Sequence, residues 1–100
     1  MTELTYQRLS NDQIAAALIT VPGWRVDDSG SLMRLFEFKT YADGVLVAMG
    51  ITRLAEQLNH HPELFIGYGK VRVELATHDA DGGLTAYDFE LARRINRLAD

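Results

Sequence analysis

Along this chain, segments whose hydrophobic residues have the spacing of a helix are followed by segments whose hydrophobic residues have the spacing of a strand. Near the start, Ser10 and Gln13 have the spacing of a capping box, and the apolar residues that follow share one helical face as far as Pro22. Residues 24–27 and 32–39 then predict two strands, because apolar and polar side chains alternate there around a turn rich in Asp, Ser and Gly.

The second half of the chain predicts a longer helix and a second hairpin. Thr40 opens the helix, which is expected to extend to about Asn59 because Pro62 disfavours helical geometry in the residue before it. Residues 64–68 and 71–77 predict strands that meet in a turn. The later strand alternates strictly between apolar and charged side chains, so one face of the sheet is expected to be core and the other wet.

A last helix is expected to begin at Thr85, which has the capping spacing to Asp88, and to continue to the end of the chain. The predicted order is therefore α-β-β-α-β-β-α. Two hairpins with helices between them indicate an α+β fold, a four-stranded antiparallel sheet covered on one face by three helices. No linker or change of composition divides the chain, so residues 1–100 are expected to form a single domain.

Residues 45–49 of the predicted second helix are apolar on nearly every side. A helix at the surface of a monomer normally buries only one stripe. The breadth of this apolar region indicates a further buried surface, which association between subunits would provide.

Composition narrows the classes of function. The apolar content of 47% and charged content of 24% are ordinary for a soluble globular protein. A net charge of -4 argues against nucleic-acid binding, which usually needs a basic face. There is no cysteine, and no apolar run approaches the roughly 20 residues of a membrane span. No signal-peptide pattern precedes the first helix, so a cytoplasmic location is expected.

All three histidines lie at two points that flank the second predicted hairpin, His60 and His61 before it and His78 after it. Histidine can give and take protons near neutral pH because its unperturbed pKa is about 6.5. Glu56 lies four residues before His60, so on a helix the carboxylate would share a face with that imidazole and hold it. The spacing favours a general acid-base site.

The same residues have simpler interpretations. The His-His-Pro sequence could be a surface turn, and Asp88 could serve only as a helix cap. Trp24 is more typical of a core residue than of a ligand-stacking one. Three histidines could also bind zinc, although adjacent histidines on a helix point about 100° apart and do not chelate like an i, i+4 pair.

The chain resembles the pterin-4a-carbinolamine dehydratase family over nearly its whole length, most strongly in residues 51–92. The paired histidines followed by a third histidine at this distance are specific to that pattern. The segments that carry the resemblance are Gly23-Trp24, residues 34–38, residues 55–63 (AEQLNHHPE), Lys70-Val71, Thr77-His78-Asp79, residues 83–85 and Asp88-Phe89.

The resemblance implies an enzyme, 4a-hydroxytetrahydrobiopterin dehydratase, a hydro-lyase. Its reaction removes water from 4a-hydroxytetrahydropterin to give the quinonoid dihydropterin, in tetrahydropterin recycling, with no metal and no organic cofactor. It also implies a homodimer or homotetramer. By this resemblance, the catalytic residues would be His60, His61 and His78, supported by Glu56. The residues that bind the pterin would be Asn59, His60, His61, Ala76, Thr77, His78 and Asp79. Asp88 matches an acidic position of the family.

Three features depart from the family pattern. Leu64 stands where the family usually has Trp, Ile66 and Gly69 stand where Asn is common, and the loop at 79–83 is one residue longer. These changes concern the rim of the pocket and the subunit contacts. Some members of the family act with other proteins, as a transcriptional dimerisation partner or as an assembly factor, so a non-catalytic role as chaperone or coactivator partner is the alternative.

Overall fold

Three helices and four strands follow one another in the predicted order α-β-β-α-β-β-α in the computed structural model, which describes residues 3–100. A single 3₁₀ turn, His78–Ala80, separates the last strand from the last helix. The helices are α1 (Asn11–Leu18), α2 (Tyr41–Leu58) and α3 (Ala86–Ala99), and the strands are β1 (Arg25–Val26), β2 (Leu32–Glu37), β3 (Glu63–Gly67) and β4 (Lys70–Leu75).

The four strands form one antiparallel sheet in the order β1-β2-β4-β3. In the central pair, Leu32 lies opposite Leu75 and Phe36 opposite Val71. These side chains are buried on the face that the helices cover, whereas Arg72 on the next position of β4 is exposed. The alternation of β4 therefore confirms the prediction of one core face and one wet face.

The core lies between this sheet and the helices. Helix α2 contributes Ile51 and Ala55, and α3 contributes Leu91 and Ile95, all at most 1% exposed. Helix α1 has no fully buried residue and packs only its apolar stripe against the core. Among residues 3–100, no helix combines the length and the apolar character that crossing a membrane requires.

All four strands differ from their predicted bounds by one or two residues, and contacts of neighbouring residues explain the differences in β1 and β4. Strand β1 has only two residues, and Trp24, expected in it, lies in the core with its indole N–H donating to the side-chain oxygen of Asn96 at 2.7 Å. Strand β4 ends at Leu75 rather than at residue 77. The backbone N–H of Thr77 donates instead to the carbonyl of Gly83 at 3.0 Å, so the chain folds into a loop before the strand can continue.

The turn between β3 and β4 places Gly69 in a left-handed conformation close to backbone. Gly69 has φ +67°, and a Cβ added there would lie 2.8 Å from the carbonyl oxygen of Phe38. Gly30, in the other hairpin, has φ +89° but open space around it. A residue with a side chain would be strained by the positive φ at either position. At Gly69 it would also clash with the backbone of Phe38.

We expect Gly69→Ala to lower the free energy of unfolding by about 2–4 kcal/mol and Gly30→Ala by about 1 kcal/mol. Urea unfolding of the two variants measures the difference. Equal losses would contradict the contribution assigned to the contact with Phe38.

Candidate active site

A cleft of about 360 Å³ lies where the end of α2 meets the loop after β4. All three histidines of the chain line it, although they come from two segments that the second hairpin separates. The cleft is lined by Tyr6, Asn59, His60, His61, Pro62, Glu63, Ala76, Thr77, His78 and Asp79. This set includes the three histidines and the four further residues expected at a pterin pocket.

The end of α2 turns His60 into the protein. Asn59 adopts a left-handed conformation with φ 50°, and the N–H of His60 donates to the carbonyl of Ala55 at 3.0 Å. This bond across five residues is typical of a Schellman-type helix end, in which Asn tolerates the positive φ. The imidazole of His60 is consequently buried, with the residue only 7% exposed.

Asp88 on α3 holds the buried imidazole. Its Oδ1 lies 2.6 Å from Nε2 of His60, and the Asp88 side chain is completely buried. Its Oδ2 accepts hydrogen bonds from the hydroxyl of Thr77 at 2.8 Å and from the backbone N–H of Thr85 at 2.9 Å. Asp88 is thus a helix cap, as the sequence spacing predicts, and also the partner of a histidine.

The hydrogen bonds around Asp88 favour one tautomer of His60. A carboxylate is acceptor-only, so with Asp88 in that form Oδ1 accepts from Nε2 of His60 just as Oδ2 accepts from Thr77 and Thr85. In that arrangement Nε2 of His60 carries the proton, and Nδ1 is the nitrogen left to exchange one. A buried partner that fixes both tautomer and ring orientation is typical of functional histidines.

Glu56 does not hold His60, and that pairing, expected from the i, i+4 spacing, is wrong. Its Oε2 lies 2.6 Å from Nε2 of His61 instead. The reason is that the helix ends before His60, so the left-handed Asn59 sends His60 inward and leaves His61 beside Glu56. Both side chains are more than half exposed, so this hydrogen bond orients His61 and adds little stability.

His78 reaches the cleft from the loop after β4. It is exposed and begins the 3₁₀ turn, rather than extending the strand toward Arg72 and Glu74 as the alternation would place it. The loop is closed by backbone bonds to Thr77, whose carbonyl accepts from Ala80 at 3.0 Å and from Gly82 at 3.1 Å. These backbone hydrogen bonds therefore hold the main chain of His78 in place, while its side chain remains accessible to solvent.

Chemistry rather than size distinguishes this cleft. A larger one of about 620 Å³, lined by Thr20, Pro22, Arg93, Asn96, Arg97 and Asp100, has no histidine. The histidine cleft presents one buried imidazole on a carboxylate and two exposed imidazoles, which suits proton transfer. Within residues 3–100, no three His, Cys, Asp or Glu side chains are grouped so as to hold a metal ion.

Tyr6, Pro62 and Glu63 line the cleft without having been predicted there. The two residues after the histidine pair follow from its position in the chain. Tyr6 had no signal in the sequence, because the segment that carries it is distant from the histidines and has no periodic pattern.

An α+β protein with a histidine-lined cleft is the class that this fold and site define. Residues 7–98 match the sequence profile of the family described as pterin 4 alpha carbinolamine dehydratase, and the chain belongs to this family. It is 43% identical over 95 residues to a Rhizobium meliloti (strain 1021) protein provisionally named pterin-4-alpha-carbinolamine dehydratase, covering 94% of this chain and 90% of the relative. A Natronomonas pharaonis protein of the same provisional name is 44% identical, with 93% and 97% covered.

Solved structures with the same fold include proteins described by different roles. A crystal structure of a transcriptional coactivator/pterin dehydratase from Brucella melitensis has a TM-score of 0.88 and 35% identity, covering 94% of this chain and all of that one. A pterin dehydratase-like protein described as a RuBisCO assembly factor in the alpha-carboxysome has a TM-score of 0.63 at 23% identity, covering 80% and 93%. This second likeness concerns the fold alone.

Proposed function

We propose that this protein dehydrates 4a-hydroxytetrahydropterin to the quinonoid dihydropterin, as a hydro-lyase of tetrahydropterin recycling. The observation that carries the proposal is the meeting of three imidazoles in one cleft, one of them held by a fully buried carboxylate. Membership of the pterin 4 alpha carbinolamine dehydratase family supports it.

The reaction needs two proton transfers and no redox change. The C4a–O bond breaks as the lone pair of the neighbouring ring nitrogen forms a C=N bond. A general acid protonates the departing oxygen, which leaves as water, and a general base takes a ring N–H proton. Histidines can serve in both roles because their unperturbed pKa is close to neutral pH.

In this proposal His60 and His78 transfer the protons, while His61 contacts the hydroxyl that leaves. Asp88 fixes the orientation of His60 and would compensate the positive charge that the ring gains on accepting a proton. Glu56 orients His61 through their hydrogen bond of 2.6 Å. The remaining pocket residues, Asn59, Ala76, Thr77 and Asp79, would contact the pterin through side-chain and backbone groups. No metal and no organic cofactor enters the reaction.

The test is dehydration of freshly generated 4a-hydroxytetrahydropterin, followed by absorbance with and without the purified protein. We expect acceleration that is proportional to protein concentration and unaffected by a metal chelator. Folded protein that leaves the spontaneous rate unchanged would refute the enzymatic proposal.

A second function, association with another protein or with further copies of this chain, is favoured by one exposed surface. Leu46 and Met49 on α2 are 65% and 62% exposed, and Leu98 of α3, 46% exposed, packs on Gly50 of the same helix as Leu46 and Met49. We call these three apolar side chains the α2 apolar face. Such a patch is typical of an interaction surface, and we propose that it mediates assembly into a homodimer or homotetramer.

Leu46→Glu combined with Met49→Glu is expected to shift the protein from an oligomer to a smaller species, because burying two carboxylates at an apolar interface is costly. Light scattering at micromolar concentration measures the mass. The control is Ile19→Glu, which places one carboxylate on an apolar side chain that is 83% exposed outside this face. A monomeric wild-type protein, or an unchanged mass in the double variant, would contradict this use of the face.

A further inference from the structure

The segment before α1 lies across the loop that carries His78. The N–H of Leu9 donates to the carbonyl of Leu84 at 2.8 Å. The side chain of Arg8 packs so closely on Gly83 that an added Cβ would lie 2.7 Å from its Nε. These contacts hold Tyr6, a few residues earlier, at the wall of the histidine cleft.

The Tyr6 ring is the outer member of three aromatic rings in succession. It stacks on Tyr87 of α3 with centroids 4.3 Å apart and planes 13° apart. The ring of Tyr87 in turn lies 5.6 Å from that of His60. Tyr87 is next to Asp88 in sequence, so the helix that holds the buried histidine also supports the tyrosine at the cleft.

Tyr6 remains available for a ligand. Tyr87 covers one face of its ring, and the residue is still 43% exposed while it lines the cleft. The neighbouring Tyr87 side chain, together with burial, raises the pKa of Tyr6 above its ordinary value of 10.0. The phenol therefore keeps its proton at neutral pH and presents an uncharged aromatic surface.

We propose that Tyr6 is a substrate-contacting residue that binds a face of the pterin ring system, and that Tyr87 is the residue that positions it. This inference rests on the dehydratase function proposed above. Aromatic rings attract flat heteroaromatic ligands by offset or edge contacts. Because Tyr87 already holds the Tyr6 ring, ordering it on binding costs less conformational entropy.

The test is steady-state dehydration kinetics of Tyr6→Ala, together with binding of 7,8-dihydropterin measured by fluorescence. We expect KM and the dihydropterin Kd to rise by about 2- to 10-fold, the range of one aromatic contact, with little change in kcat. Tyr6→Phe keeps the ring and should stay near wild type, whereas Tyr87→Leu should raise KM. The matched control is Tyr68→Ala, which removes an exposed tyrosine that stacks on Tyr41 away from the cleft.

The outcomes separate this inference from the proposed function. An active wild-type protein whose KM and Kd are unchanged by Tyr6→Ala would overturn the role of Tyr6 and leave the dehydratase standing. A fall in kcat with unchanged KM would overturn it as well, since a binding residue does not act in that way. A wild-type protein that binds dihydropterin without dehydrating would refute the enzyme, and the Kd of Tyr6→Ala would still decide the contact. A wild-type protein that neither dehydrates the substrate nor binds dihydropterin would overturn both.

Discussion

His78→Ala is expected to lower kcat for pterin dehydration by about 10²- to 10⁴-fold, the usual contribution of one general acid or base. Its thermal midpoint should stay near wild type because the His78 side chain is exposed on a loop that backbone hydrogen bonds hold. Added imidazole should restore part of the rate, since the cleft is open to solvent at this position.

The equivalent test of His60 needs a different substitution. Alanine would leave the carboxylate of Asp88 buried without its partner at 2.6 Å, so loss of rate would be confused with loss of stability. His60→Gln retains an N–H donor for that carboxylate and removes the group that titrates. We expect a similar loss of kcat with most of the stability preserved, and no rescue by imidazole. Full turnover in both His78→Ala and His60→Gln would show that the acid-base assignment is wrong.

Asp88→Ala is expected to lower the free energy of unfolding by about 3–5 kcal/mol, because it removes the acceptor of a buried hydrogen-bond network. The partners affected are the His60 ring, the Thr77 hydroxyl and the Thr85 backbone N–H. Urea unfolding measures the loss. The control is Gln13→Ala, which removes the exposed capping-box residue at the same position of α1 and should cost about 1 kcal/mol or less.

Asp88→Asn separates the two roles of this side chain. The amide can still accept from Thr85, but its NH₂ would face Nε2 of His60 and move the imidazole proton to Nδ1. We therefore expect a fold that survives and a kcat lowered by about 10²-fold or more, as when a histidine is held in the wrong tautomer. If Asp88→Ala cost no more than Gln13→Ala and Asp88→Asn kept full activity, Asp88 would be a helix cap and nothing further.

The element order was predictable because the signals for it are local. The capping spacing at Thr40 places the start of α2, and the alternation of β4 identifies its buried face. The ends of the strands were less predictable. Residues 76 and 77 are compatible with an extended strand, and what ends β4 is the pairing of Thr77 with Gly83 across a loop. A loop closure of this kind depends on backbone partners that no periodic pattern identifies.

The candidate site was predictable in its residue types and only partly in its contacts. The histidine motif and its resemblance to the family indicated His60, His61 and His78, which the fold does bring to one cleft. The carboxylates that contact the histidines differ from the sequence prediction. Glu56 has the helical spacing to His60, but the helix ends first, so it contacts His61. The spacing from Thr85 predicts that Asp88 caps α3. It does not indicate that the other carboxylate oxygen of Asp88 contacts His60.

The sequence by itself determined the order of helices and strands, the apolar breadth of α2 and the presence of a neutral-pH proton donor and acceptor set. These follow from periodicity, capping residues and the intrinsic chemistry of histidine, which depend on near neighbours in the chain. Only the tertiary structure decided that Asp88, 28 residues from His60, is its partner and that Tyr6 lines the same cleft. Contacts between distant segments depend on how α3 and the N-terminal segment pack on the end of α2, and that packing is a property of the whole fold.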